Sequence, residues 1–298
     1  MPEILQHGNY LPYLPFYATR IRTPVYTLGP EVPMRVNRTL ARLRAGETVF
    51  GCAQQFYRSA EIPRVFAAAG FDFVFVDGEH AGFDLETIQD VAAAAVGAGI
   101  TPVVRVCELL YSQVARVLDV GAQGVIFPRV EDPRLLESAV SWTKFPPEGV
   151  RGFGVLPPLL DYEAQPMEAV MRHLNANVMV VVQFETRRAL EMADELLSIP
   201  GVDVAMVGPA DLSISLGCPG RFTDTRLVSA VEKLMGQCES RGVVPGVHNR
   251  DVTGALFWAA RGMRFIGSGS EQSLLLEKSR ESMAALRAAP SPAGATVR

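Results

Sequence analysis

The sequence predicts a single parallel (β/α)₈ barrel, and three observations point to it. A chain of 298 residues is a normal length for one such barrel. Along it, short β-rich runs alternate with helical patterns, and the runs number eight, the count of a closed barrel. The first run leads through GCAQQF and lacks the Gly-rich phosphate turn that usually follows the first strand of a doubly wound sheet.

The runs lie at residues 48–52, 72–77, 102–106, 124–128, 178–184, 203–207, 244–247 and 264–267. Runs such as VMVVVQF are apolar at successive positions, as strands covered by helices on one side and packed inside a barrel on the other must be. Helical stretches follow at 84–98, with Asp84 as its N-cap, and at 112–121, 132–143, 186–199, 224–241 and 251–262. Residues 129–177 exceed one helix, so the segment RGFGVLPPLLDYEA is expected as an extra loop over the barrel mouth. Residues 1–40, rich in proline and tyrosine without a sustained period, are expected as an N-terminal arm. Residues 41–287 are expected to form the barrel domain, and 288–298 read as a disordered tail.

Composition excludes several classes. The chain is 48% hydrophobic and 20% charged with a formal net charge of −4, which leaves no basic footprint for nucleic acid. The four cysteines, Cys52, Cys107, Cys218 and Cys238, form no CxxC pair, so a reduced cytoplasmic protein is expected. The longest charge-free stretches, residues 4–19 and 91–104, are too short to cross a membrane.

Polar residues gather where these runs end, the face on which such barrels carry chemistry. Run two ends in Asp77, Glu79 and His80, run three carries Arg105, and run four ends before Arg129. Run five leads to Gln183 and Glu185, run six to Asp211 in GPAD, and run seven to His248 and Asn249. Glu185 and Asp211 are a carboxylate pair suited to a hard divalent cation, or caps of the helices that follow. The amides of Ala210 and Asp211, after Pro209, open a helix N-terminus suited to a carboxylate. Arg105, inside the apolar strand PVVRV, either pairs with a core carboxylate or faces a substrate oxyanion. His80 is either satisfied by the core or a general base oriented by a carboxylate, with Asp77 and Asp119 as candidates.

Taken in order, GFDFVFVDGEHAGFD, TPVVRV, VLDVGAQGVIFPRV, FPPEGVRGFG, VVQFETRRAL and GVDVAMVGPADLS resemble the HpcH/HpaI aldolases, across residues 36–286. The resemblance implies a barrel whose C-terminal helix is swapped between subunits of a homo-hexamer, a trimer of dimers, with one Mg²⁺, Mn²⁺ or Co²⁺ per subunit. It assigns Glu185 and Asp211 as metal ligands, and Gln183, Ala210 and Arg105 as substrate contacts. His80 becomes the catalytic base, Asp119 the residue raising its basicity, and Arg105 the transition-state stabiliser. The implied reaction cleaves a 4-hydroxy-2-oxo acid to pyruvate, or a related 2-oxo acid, and an aldehyde through a metal-bound enolate. Oxaloacetate decarboxylation or enolate-based carbon–carbon bond formation is the alternative; a CoA-thioester lyase or an inactive keto-acid-binding barrel stands behind it. After RGFG this chain departs from the family with VLPPLLDY, and Arg129 and His248 are not fixed family features. Those three features are therefore expected to rim the mouth and govern the choice of aldehyde.

Overall fold

The computed structural model describes residues 34–155 and 157–288. The arm expected over residues 1–40 falls outside the described residues as far as Pro33, and so does nearly all of the tail expected over 288–298. Eight parallel strands, β1 (Val49–Gln54), β2 (Phe73–Asp77), β3 (Thr101–Arg105), β4 (Gly124–Phe127), β5 (Met179–Phe184), β6 (Val204–Val207), β7 (Val244–Asn249) and β8 (Phe265–Ser270), close in sequence order into a barrel. The seam is the parallel pairing of β8 with β1. Each expected run contains the core of a strand, with ends that coincide or differ by up to three residues.

The helices are α1 (Arg38–Arg44), α2 (Glu61–Ala68), α3 (Leu85–Ala98), α4 (Tyr111–Asp119), α5 (Pro133–Ser141), α6 (Met167–Asn177), α7 (Arg187–Glu191), α8 (Ala193–Leu197), α9 (Pro209–Ser215), α10 (Thr225–Arg241), α11 (Val252–Ala259) and α12 (Glu271–Ala288). Several start where the sequence supplies an acceptor: Asp84, Asp132, Thr186, Asp224 and Asp251 each accept a backbone N–H from the first turn that follows. The single helix expected over 186–199 is two, α7 and α8, meeting at Met192. None of the described helices is long and apolar enough to cross a membrane.

Strand periodicity sorts the side chains. Val74, Val76, Val104, Val125, Val180 and Val182 face the helices. Val49, Phe73, Phe75, Val103, Ile126, Met179, Val181, Val204, Met206 and Phe265 fill the interior, where Leu40 and Leu43 of α1 join them and close the strand-start end. Asn37 fixes that plug: it caps α1 and donates to the carbonyls of Gln123 and Asn177. Asn37, Thr39 and Leu40, inside the stretch read as an arm, are all buried. Phe73 stacks on Phe265 with ring centroids 4.1 Å apart. Gly51 permits this, because a Cβ there would lie 2.3 Å from the Phe73 ring.

The segment expected over the mouth lies elsewhere. Gly152 donates to the Tyr111 hydroxyl on the outer side of α4, and Arg151 pairs with Asp119 at the far end of that helix. Leu159 is buried, in reach of Gly121 where α4 turns into β4, and Asp161 pairs with Arg35 beside α1. An apolar run needs an apolar surface; the flanks of α3 and α4 provide one and the polar mouth does not. The expectation that residues 153–162 rim the mouth is corrected accordingly.

Interior packing at the seam yields a stability test. Gly51→Ala must displace the Phe73 ring and is expected to cost ~1–3 kcal/mol. Gly236→Ala, in α10 with nothing within 4 Å of the new methyl, is expected to add ~0.5–1 kcal/mol. Urea unfolding of both variants reads the difference; a Gly51→Ala protein as stable as the parent would contradict the interior packing.

Candidate active site

The same period-two alternation that fills the interior below puts a polar layer on top. Two residues beyond Phe75 comes Asp77, beyond Val103 comes Arg105, beyond Val181 comes Gln183 and beyond Gly246 comes His248. Asp77 and Arg105 are register partners across β2 and β3. Above this layer opens a pocket of about 610 Å³, lined among others by Gln55, His80, Arg105, Gln183, Asp211 and His248.

Arg105 is 6% exposed and its guanidinium is held on every side. Nε and Nη2 donate to the two oxygens of Asp77 at 3.0 and 2.7 Å, in the two-pronged geometry that suits a carboxylate. Nη1 lies 3.0 Å from a Glu79 oxygen and 3.5 Å from Gln183 Oε1. The cation also sits over the Phe75 ring. Burial pushes the Asp77 carboxyl upward, but its bonds with Arg105, with the His80 amide and with Gln55 outweigh this and hold it below the ordinary carboxylate value. Arg105 thus pairs with core carboxylates, the first of the two alternatives weighed for it, and also lines the pocket.

Glu185 is 2% exposed. One oxygen accepts the Arg129 backbone N–H at 2.8 Å and the other the Gln183 amide at 2.6 Å. Arg129 presents that N–H from a left-handed backbone, with φ 52°, a conformation uncommon for a non-glycine residue and concentrated at functional sites. Gly208 lets the chain pass: a Cβ there would lie 3.2 Å from a Glu185 oxygen. Asp211, in the first turn of α9, is half-exposed, and Ala210 beside it lines the pocket. Burial raises the Glu185 carboxyl; the Arg129 N–H works against this, while the nearby charges of Glu79 and Asp211 raise it further.

This donor set fits a divalent cation. The carboxylates repel one another, and a cation between Glu185 and Asp211 would relieve that repulsion with the oxygen donors that Mg²⁺ and Mn²⁺ prefer. Among the described residues no group of three or more His, Cys, Asp or Glu side chains gathers as a metal site. The protein would thus supply two carboxylates and leave the other positions to substrate and water.

The histidines divide. His80 is largely exposed at the mouth, with Nε2 3.8 Å from Glu79 Oε2 and its backbone N–H donated to Asp77. His248 stands edge-on to Phe75, and its Nδ1 is buried with no hydrogen-bond partner among the described residues. Burial, helped by the Arg105 charge, pushes its pKa down to about 4, so the ring is neutral. Arg129 reaches over the carboxylates, 3.5 Å from Glu79 and 4.0 Å from Asp211. Asp119 is not brought to His80. It ends α4 at the strand-start face, opposite the mouth, and pairs with Arg151 at 2.8 Å. Two contributors went unassigned in the sequence: Glu79, visible in VDGEH, and Gln55, whose amide donates to Asp77 and which no motif marks.

A family model described as HpcH/HpaI aldolase/citrate lyase matches residues 57–277. The chain belongs to this family. Among the relatives of this HpcH/HpaI protein is a pyruvate aldolase of Rhizobium etli, 33% identical over 257 residues that cover 86% of this chain and 98% of the relative. An HpcH/HpaI aldolase from Desulfitobacterium hafniense DCB-2 superposes with a TM-score of 0.80 at 27% identity, covering 87% of this chain and 100% of that one. The citrate synthase SbnG superposes with a TM-score of 0.73 at 29% identity, covering 83% and 96% of the two chains.

Asp77→Ala would leave the Arg105 guanidinium short of its main partner and is expected to cost ~3 kcal/mol or more. Adding Arg105→Met removes the buried charge and should restore most of that loss in urea unfolding. A double variant no more stable than Asp77→Ala alone would show that the pair is not coupled.

Proposed function

We propose that this HpcH/HpaI protein is a divalent-metal-dependent aldehyde lyase. It reversibly cleaves 4-hydroxy-2-oxo acids to pyruvate, or a related 2-oxo acid, and an aldehyde. The observation that carries this reading is a fixed Arg105 guanidinium in a pocket also lined by Asp211 and an exposed histidine, His80, with Glu185 bonded to the pocket-lining Gln183 beside them.

Breaking the C3–C4 bond sends its electron pair toward the keto group, so negative charge grows on that oxygen. Arg105, immobilised by Asp77 and Glu79, offers a preorganised donor there, an arrangement typically worth a few kcal/mol. Gln183 orients Glu185 and borders the same space. His80 takes the C4 hydroxyl proton as the aldehyde carbonyl forms, and C3 is reprotonated to give the methyl group of pyruvate. Glu185 and Asp211 would hold a divalent cation, Mg²⁺, Mn²⁺ or Co²⁺, which would supply further positive charge to the developing enolate. A Schiff-base route has no support: none of Lys144, Lys233 and Lys278 lines the pocket. Ala210, Arg129 and His248 border or overlook the mouth, and Arg129 and His248 are the residues proposed to sort aldehydes.

Carbon–carbon bond formation or oxaloacetate decarboxylation at the same site is the second reading, favoured by the likeness to a citrate synthase. In this proposal the protein is a cytoplasmic homo-hexamer with α12 exchanged between partners. Its cysteines are all free. Of the residues of α12 only Glu271 is buried, while Leu275, Leu276, Met283 and Leu286 are exposed. The expected role of Asp119 toward His80 requires a second copy, because one chain holds them at opposite faces.

Two tests follow. Mn²⁺ should raise the melting temperature of metal-stripped protein, and Glu185→Ala or Asp211→Ala should abolish the shift; an undiminished shift in both variants would remove them as ligands. His80→Ala should lose aldol cleavage by ~10²–10⁴-fold and keep most oxaloacetate decarboxylation, which needs no hydroxyl proton removed. Equal damage to the two reactions would refute the role of His80 as the hydroxyl base.

A further inference from the structure

The barrel seam carries a carboxylate that the reaction above does not use. Glu271, the first residue of α12, is 4% exposed. Its Oε1 accepts three successive backbone N–H groups, from Gln55 at 2.8 Å, Phe56 at 2.5 Å and Tyr57 at 2.9 Å. Three amides converging on one charged oxygen form strong bonds and fix the backbone of that loop. The loop leaves the end of β1, and Gln55 and Phe56 line the pocket. From it the Gln55 side chain donates to Asp77 Oδ2 at 2.9 Å, the oxygen that also takes Arg105 Nη2 at 2.7 Å.

We propose that Glu271 is a positioning residue for catalysis: it sets the 55–57 loop so that the Gln55 amide fixes Asp77, and through Asp77 the aim of Arg105. Each link is a direct hydrogen bond, and the chain runs from the β8–α12 junction across the seam to the pocket floor. Gln55 supplies what Asp77 otherwise lacks. Asp77 Oδ1 is anchored by the Glu79 and His80 amides and by Arg105 Nε, whereas among the described residues Oδ2 has Gln55 alone to hold it against the pull of Arg105. The proposal rests on the lyase reading for the role of Arg105, but not for the hydrogen-bond chain itself.

The test compares full-length wild type with Glu271→Gln, Gln55→Ala and the double variant. Glu271→Gln keeps the shape and removes the charge; Gln55→Ala leaves the seam intact should the first variant fold poorly. Amide exchange by mass spectrometry, without substrate or metal, is expected to rise in Glu271→Gln at residues 55–57 and also at 79–80, whose N–H groups report on Asp77. A purely structural seam would release 55–57 alone, and that result overturns the proposal. In turnover, Glu271→Gln and Gln55→Ala should each lower kcat by about tenfold or more, the scale of a misplaced catalytic group, with KM near wild type. The double variant should lose no more than the worse single. Wild-type kcat in folded Glu271→Gln, or losses that multiply in the double variant, also overturn it. If wild type itself turns over no 2-oxo acid, the lyase reading fails, and the exchange data still decide the coupling.

Discussion

A guanidinium inside a barrel has to be neutralised before the strands can close around it, and much of the upper half of this protein follows from meeting that need for Arg105. Its donors are distributed over Asp77, Glu79 and Gln183, and Asp77 stands opposite it as register partner. A one-residue slip of β2 against β3 would move the carboxylate to the helix-facing side and bury the cation alone. The same contact thus defines the strand pairing and leaves a donor facing the pocket.

Below that layer the interior is apolar; above it, inward positions on β2, β3, β5 and β7 carry polar side chains. On β2, β3 and β5 the change occurs within two residues, from Phe75 to Asp77, Val103 to Arg105 and Val181 to Gln183. Apolar packing beneath gives the polar groups a rigid floor, and rigidity is what makes preorganised charge useful in a reaction. The carboxylates are the opposing element. Glu79, Glu185 and Asp211 lie close together, with Arg105 and Arg129 as the cations that pair with Glu79 and Asp211 among the described residues, and a divalent ion would offset the remaining negative charge.

Much of this was legible in the sequence, because period and strand-end position are local properties. PVVRV declared a strand, and the period of two then carried Arg105 inward; VDGEH, QFET and GPAD marked three strand ends. What escaped was set by contacts between distant segments. Glu271 meets Gln55 across 216 positions, and no spacing rule links them. Residues 153–162 were misplaced because an apolar loop and a mouth-covering loop look alike until the flanks of α3 and α4 are in view. Asp119 carried its expected role from a motif, VLDVG, but helix α4 delivers it to the strand-start face, where Arg151 claims it.

If Arg105 stabilises charge developing on a 2-oxo acid, enolisation of pyruvate isolates that step from any aldehyde. Exchange of the pyruvate methyl protons in D₂O, followed by NMR with Mn²⁺ present at a sub-broadening concentration or with Mg²⁺, measures it directly. Enzyme-dependent exchange is expected in wild type, and most of it should be lost in folded Arg105→Lys, which keeps the charge but not the planar fork. Exchange in Arg105→Lys as fast as in wild type would contradict it.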